Sequence, residues 1–116
     1  MPASASADVE PAVSVTPQDS TRPKRQPRYH VVLWNDDDHT YQYVIAMLRQ
    51  LFGHPRERGF QLARRVDRDG RVIVLTTTRE HAELKRDQIH AFGADVLLAR
   101  SKGSMTASIE PEPTPD

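Results

Sequence analysis

The apolar positions of this chain change period along its length, and each change marks an element. Tyr29-His30-Val31-Val32-Leu33-Trp34 is a β-branched and aromatic run that suits a strand. Asn35-Asp36-Asp37-Asp38 stops it, because short polar side chains compete for backbone hydrogen bonds and favour turns and helix starts. Tyr41, Val44, Ile45, Leu48, Leu51 and Phe52 then fall on one helix face. Gly53 is the stop, and Pro55 suits the first turn of a second helix, to which Phe60, Ala63 and Val66 give a thinner apolar face. Asp69-Gly70 turns the chain into a second strand over residues 71–76. Thr77-Thr78-Arg79-Glu80 fits a capping box, with Thr77 accepting from the backbone and Glu80 reaching back. A third helix follows to about Phe92, with Ala82, Ile89 and Phe92 inward and Gly93 as its end. Val96-Leu97-Leu98 opens the last strand, which resumes after Gly103 through Met105 to Ile109. The order β-α-α-β-α-β predicts an α+β fold, a two-layer sandwich of a three-stranded antiparallel sheet on three helices.

Composition sets the limits of that domain. Of nine prolines, only Pro55 lies between Pro27 and Pro111. Residues 1–28 have no aromatic side chain and are rich in Ala, Ser, Thr and Pro. Such a segment buries too little apolar surface to offset its ordering entropy, so it reads as a disordered arm. Residues 111–116 read as a disordered tail, leaving 29–110 as the core domain. The 16 basic and 16 acidic residues cancel. Divided along the chain, they give +1 over residues 1–28, +2 over 29–109 and −3 over 110–116. No part has the strong basic excess of a nucleic-acid binder. Zero Cys removes disulfides, thiolate zinc sites and a Cys nucleophile. No apolar run is long enough for a spanning helix, and the start lacks the pattern of a secretory signal. The expectation is a cytoplasmic monomer with no nucleic-acid or membrane partner.

Candidate chemistry is sparse. The cluster Asn35-Asp36-Asp37-Asp38-His39 is the most unusual feature, and three carboxylates with an imidazole suggest a divalent cation as one alternative. Its spacing is not that of an EF-hand, and acidic residues before a helix also follow from the helix dipole. The five His show no i, i+4 pair, the five Gly form no phosphate loop, and no Ser, His and Asp make a nucleophile motif. The basic run Arg64-Arg65-Val66-Asp67-Arg68 reads as a solvated helix face, and Lys24-Arg25-Gln26-Pro27-Arg28 as a solubilising tail. A small α+β domain with an acidic edge and an arm is a binding module rather than an enzyme, with no cofactor and no resident metal.

Residues 29–110 resemble the ClpS adaptors of the bacterial Clp protease system. The resemblance rests on Tyr29 to Asp37, with its Asn-Asp-Asp junction, on Tyr43-Val44, Leu48 and Leu51-Phe52-Gly53 in the first helix, and on Glu57-Arg58 and Val66 in the second. It continues through Gly70, through Thr78, Glu80, Ala82, Glu83 and Lys85, and ends on Leu97-Leu98. The ordered set at family spacing is what is specific. It implies an adaptor without hydrolytic activity that binds N-degron clients by a bulky apolar first residue. It also implies delivery of those clients to a Clp AAA+ unfoldase, of the ClpA or ClpC type, which feeds the ClpP protease. Matching positions give Asn35 and Asp36 as ligands of the client's ammonium, and His39, Tyr41, Val44, Ala63, Val66 and Leu97 as its side-chain pocket. Glu80, Glu83 and Lys85 match the unfoldase-docking positions. The chain departs from the family at Asp67, where the family has a His that helps to hold the ammonium. An Asp accepts from an ammonium but, when ionised, donates nothing. Gate positions that carry Met in the family hold Tyr41 and Ala63, and His39-Thr40 replaces Thr-Pro. Asn35, Asp36 and Asp67 are thus the expected ammonium site. The alternatives are an unfoldase-binding modulator with lost or altered N-degron recognition, and a metal protein using Asp36 to His39.

Overall fold

The computed structural model describes residues 26–113, in the order β1 (Arg28–Trp34), α1 (Tyr41–Phe52), α2 (Arg56–Asp69), β2 (Arg71–Thr78), α3 (Arg79–His90) and β3 (Ala107–Pro111). The three strands form one antiparallel sheet with β1 in the centre, in the order β2-β1-β3. The predicted α+β order is the one observed. The reading of residues 1–28 as a disordered arm falls largely on positions outside the described residues, although Arg28 already pairs with Thr78.

The central strand organises the core. Val31 and Leu33 are fully buried against Met47 and Leu48 of α1, Leu62 of α2 and Ile89 of α3. Each such side chain contributes roughly 1.5–3 kcal/mol by leaving water. On β2 the register slips by one residue between Val31, opposite Leu75, and Val32, opposite Ile73. Val74 is the extra residue of that bulge, and with Val72, two positions earlier, it faces the core. α1 and α2 pack closely where Gly59 faces Ile45, since a Cβ on Gly59 would lie 3.4 Å from the Ile45 Cα.

Helix ends follow the chemistry of their sequences. The Thr40 hydroxyl accepts from the Tyr43 amide and caps α1, which ends on Gly53 at a φ of 73°. Pro55 is the N-cap of α2 rather than a first-turn residue. Several boundaries differ from expectation. The strand β2 runs on through Thr78, so Thr78 rather than Thr77 caps α3, accepting from the His81 amide. α3 ends at His90, and Phe92 packs edge-on against Tyr43 from the following loop. On α2 the inward residues are Gly59, Leu62, Ala63 and Val66, while Phe60 is 44% exposed.

The largest correction concerns Val96-Leu97-Leu98, which is loop, with Val96 95% and Leu97 60% exposed. The free edge of β1 is taken by Ala107–Pro111. The chain is turned away from it by Asp95, whose carboxylate accepts from the Leu97 amide at 2.9 Å while the Leu98 amide donates to the Asp95 carbonyl at 3.2 Å. Pro111 and Glu112, read as part of the tail, are engaged instead: Pro111 pairs with Tyr29 and the Glu112 amide donates to the Arg28 carbonyl at 2.7 Å, while residues 114–116 lie outside the described residues.

Candidate functional site

The end of β1 is fixed by backbone bonds. The Trp34 amide donates to Thr106 at 3.0 Å, and the Asn35 amide donates to the carbonyl of Gly70 at 2.9 Å. Gly70 is the left-handed cap of α2, with a φ of 86°, so Asn35 is held beside the last turn of that helix, which carries Asp67. The junction after β1 then folds on itself. The Asp36 Oδ1 accepts from the Asp38 amide at 2.9 Å and is 2.7 Å from the His39 Nδ1. The opposite ring nitrogen, Nε2, lies 2.7 Å from the Gly103 carbonyl. The His39 side chain, only 4% exposed, therefore ties the acidic junction to the loop before β3.

These constraints gather Asn35, Asp36, His39, Tyr41, Val44, Ala63, Val66 and Asp67 around one cavity of about 50 Å³. Met105, 2% exposed, completes the lining. Leu97 does not join them. It borders a separate apolar depression with Tyr43, Ala46, Phe92 and Val96. The family resemblance implied Leu97 in the pocket; it lies in the exposed loop after α3, and Met105 stands at the wall instead. The alternation from Met105 to Ile109 already signalled an inward side chain at Met105.

The polar atoms at the mouth are partly used. Asp67 Oδ2 accepts from the Tyr41 hydroxyl at 2.7 Å, which holds that phenol above its ordinary value, with desolvation adding to the rise. Among the described residues the side-chain amide of Asn35, Asp36 Oδ2 and Asp67 Oδ1 have no hydrogen-bond partner. An ammonium has three donors, and three acceptors stand here beside a small cavity with Val44, Ala63, Val66 and Met105 in its wall. The negative end of the α2 dipole lies at the same mouth, which further favours a cation.

Sequence reading missed Asp95, which is 3% exposed. Its Oδ2 accepts from the Thr40 amide at 2.6 Å, so it anchors the loop after α3 to the first turn of α1. Burial pushes this carboxyl up, but the bonds from the Thr40 and Leu97 amides outweigh it, helped by the Thr40 side chain and His39, and hold the group below its ordinary 3.8. Nothing in the local pattern set Asp95 apart from the other acids. The metal alternative finds no support, since among the described residues no three His, Asp or Glu form a metal-ligating group. Both ring nitrogens of His39 already face oxygen atoms.

The expected docking residues lie on α3. Glu80 is exposed, and Glu83 pairs with Arg79 at 3.3 Å. Lys85 donates to the Leu51 carbonyl at the end of α1, with its ammonium 5.5 Å from the Phe52 ring centre. Glu80 and Glu83 share a face, whereas Lys85 is held against the body.

Comparison with known proteins gives a consistent result. The family described as ATP-dependent Clp protease adaptor protein ClpS matches residues 24–96. The adapter ClpS of Aromatoleum aromaticum is 35% identical over 74 residues, covering 64% of this chain and 72% of the relative. That of Thermosynechococcus vestitus is 34% identical over 79 residues, covering 66% and 84%. Among solved structures, Agrobacterium tumefaciens ClpS2 bound to L-phenylalaninamide matches with a TM-score of 0.66 and 26% identity, over 76% of this chain and 100% of that one.

Proposed function

The chain belongs to the ClpS family of ATP-dependent Clp protease adaptors, and from that premise we propose that it binds client proteins by a free, bulky apolar N-terminal residue and delivers them to a Clp unfoldase. The observation that carries this reading is that Asn35, Asp36 and Asp67 line one small cavity, floored by Val44, Ala63, Val66 and Met105, with an acceptor atom of each unengaged. The client's ammonium takes those acceptors, and its first side chain enters between Val44, Ala63, Val66 and Met105. The structure of ClpS2 with L-phenylalaninamide, a ligand with both an amine and an aromatic side chain, supports the same assignment here. The protein performs no hydrolysis in this scheme and acts in the cytoplasm.

The cavity constrains how a client enters. An apolar cavity of about 150 Å³ holds benzene, and the 50 Å³ seen here is a third of that. A Phe or Leu side chain therefore requires an outward swing of Tyr41, the bulky wall residue tied to Asp67. Ala63, where the family carries Met, leaves room for that movement.

Fluorescence anisotropy with labelled peptides beginning with Phe, Leu, Trp or Tyr tests the proposal. The expected result is saturable binding of the free peptides and loss of at least about tenfold in affinity on N-acetylation, the scale of a lost charge-assisted bond. Equal binding of N-acetyl-Phe and free Phe peptides overturns it. The closed cavity and the existing Tyr41–Asp67 bond favour a second reading, an unfoldase modulator that takes no client. Binding to the unfoldase without binding of any free N-terminus would establish that reading.

A further inference from the structure

Arginines are distributed unevenly between paired and unpaired positions. Arg28, Arg68, Arg71, Arg79, Arg86 and Arg100 all make ion pairs. Arg49, Arg56, Arg58, Arg64 and Arg65 make none among the described residues, and all are exposed on α1 or α2. Three of them line a continuous groove between these two helices. Its first part, about 440 Å³, lies between Ile45, Phe60 and Arg64, and its second, about 610 Å³, extends past Arg56 to Arg49. Glu57 is the one carboxylate among the lining residues.

This groove begins at the mouth of the client cavity. The Phe60 ring is 5.9 Å from that of Tyr41, and the Arg64 guanidinium lies 5.9 Å from the Phe60 ring centre. Phe60 is an exposed aromatic on a helix whose other apolar residues face inward. From Tyr41 to Arg49 the first helix rises about 12 Å, and an extended peptide covers that in about four residues at roughly 3.3 Å each. The groove thus matches in length the residues that follow an anchored N-terminus, and in charge an acidic segment with apolar contacts at its floor.

We infer that the groove between α1 and α2, from Phe60 and Arg64 to Arg56 and Arg49, holds the second to fifth residues of a client and favours Asp or Glu among them. This rests on the reading of the cavity as an N-terminus site. It makes the chain selective for a class of clients, in addition to their first residue. An acidic client segment supplies the carboxylates that these arginines lack, and exposed pairs of this kind act additively and weaken with salt.

The test compares three labelled peptides that begin with Phe and carry at positions two to five either Asp and Glu, Ser, or Lys. The full chain and an Arg49→Gln/Arg56→Gln/Arg64→Gln variant are titrated at low and high salt. The expected result is about five- to tenfold tighter binding of the acidic peptide than of the Ser peptide at low salt. The preference falls below about twofold in the variant, while the Ser peptide binds both proteins alike. Equal binding of acidic and Ser peptides by the full chain overturns the groove assignment and leaves the cavity reading intact. So does an acidic preference that survives in the variant. Failure of every free Phe peptide to bind overturns the cavity reading, and this inference with it. Single-stranded oligonucleotide competing for the three arginines, with no effect of peptide acidity, overturns the inference in favour of a nucleic-acid surface.

Discussion

The mouth of the cavity and the outer face of α3 both carry charged residues at family positions, but they differ in what those residues already do. At the mouth, Asp36 and Asp67 each engage one oxygen internally, Asp36 with the Asp38 amide and His39, Asp67 with Tyr41. Their second oxygens stay fixed in place by the first. On α3, Glu83 is held by Arg79 and Lys85 by the Leu51 carbonyl and the Phe52 ring, leaving Glu80 without an ion pair among the described residues. Positioned but unsatisfied acceptors make a preorganised site. Side chains closed into local pairs make a surface whose contribution to a partner is a rearrangement.

The strongest way to break this contrast is Asn35→Ala. The Asn35 side chain has no hydrogen-bond partner among the described residues, so its removal should leave the midpoint of denaturation unchanged. Binding of a free Phe peptide should fall by about tenfold or more, the value of a hydrogen bond to a charged group. A fall in stability with unchanged binding would place Asn35 in the fold rather than in the site.

Next in size is Asp95→Asn, expected to lower stability by about 2 kcal/mol at neutral pH, because it removes a buried carboxylate that accepts from two backbone amides. The folded-state pKa of Asp95 lies below 3.8, so its contribution is full above that value and is lost as pH falls through the folded one. Urea titrations of both proteins should therefore differ most at neutral pH and converge below about pH 4. A gap that is constant with pH would show that the charge of Asp95 is not what holds the loop.

Lys85→Ala sharpens the comparison from the other side. Losing the cap on α1 and the stem packed on Phe52 should cost about 1 kcal/mol of stability. Glu80→Ala should leave stability within about 0.5 kcal/mol and weaken binding to a Clp unfoldase. If Lys85→Ala weakens unfoldase binding without destabilising the chain, α3 is a free docking surface and the contrast fails.

Much of this was legible in the residues themselves. The switch between periods at Trp34 and Tyr41, the stop at Gly53 and the turn at Gly70 placed β1 and both helices, while Asn35 beside Asp67 was implied by the family resemblance alone. Family spacing then pointed to eight of the nine residues that line the cavity. The loop after α3 was not legible, because Val96-Leu97-Leu98 has the composition of a strand and lacks only a free strand edge to pair with. That edge is decided by the tertiary contest with Ala107–Pro111. Asp95 gains its place from the outcome, not from local pattern, whereas the inward side of Met105 follows from the alternation up to Ile109. The unpaired arginines of α1 and α2 were equally hidden, since pairing is a property of the folded surface.

The smallest expected effect is the most specific to this chain. Tyr41 and Asp67 occupy positions where the resemblance leads one to expect Met and His, and the two changes meet in one hydrogen bond of 2.7 Å. The phenol is held neutral by that bond, so it stays a donor through the ordinary pH range. In the proposed binding mode it competes with a client's ammonium for the same carboxylate. Tyr41→Phe keeps the ring that closes the cavity and removes the competitor, so free Phe peptides should bind about two- to fourfold more tightly, the net worth of a solvent-exposed hydrogen bond to a carboxylate that water largely replaces. Asp67→Asn should act in the opposite direction by removing charge from the mouth. If Tyr41→Phe weakens binding instead, the hydroxyl serves to aim Asp67 at the ammonium, and the two departures from the family form one composite ligand rather than a gate and a grip.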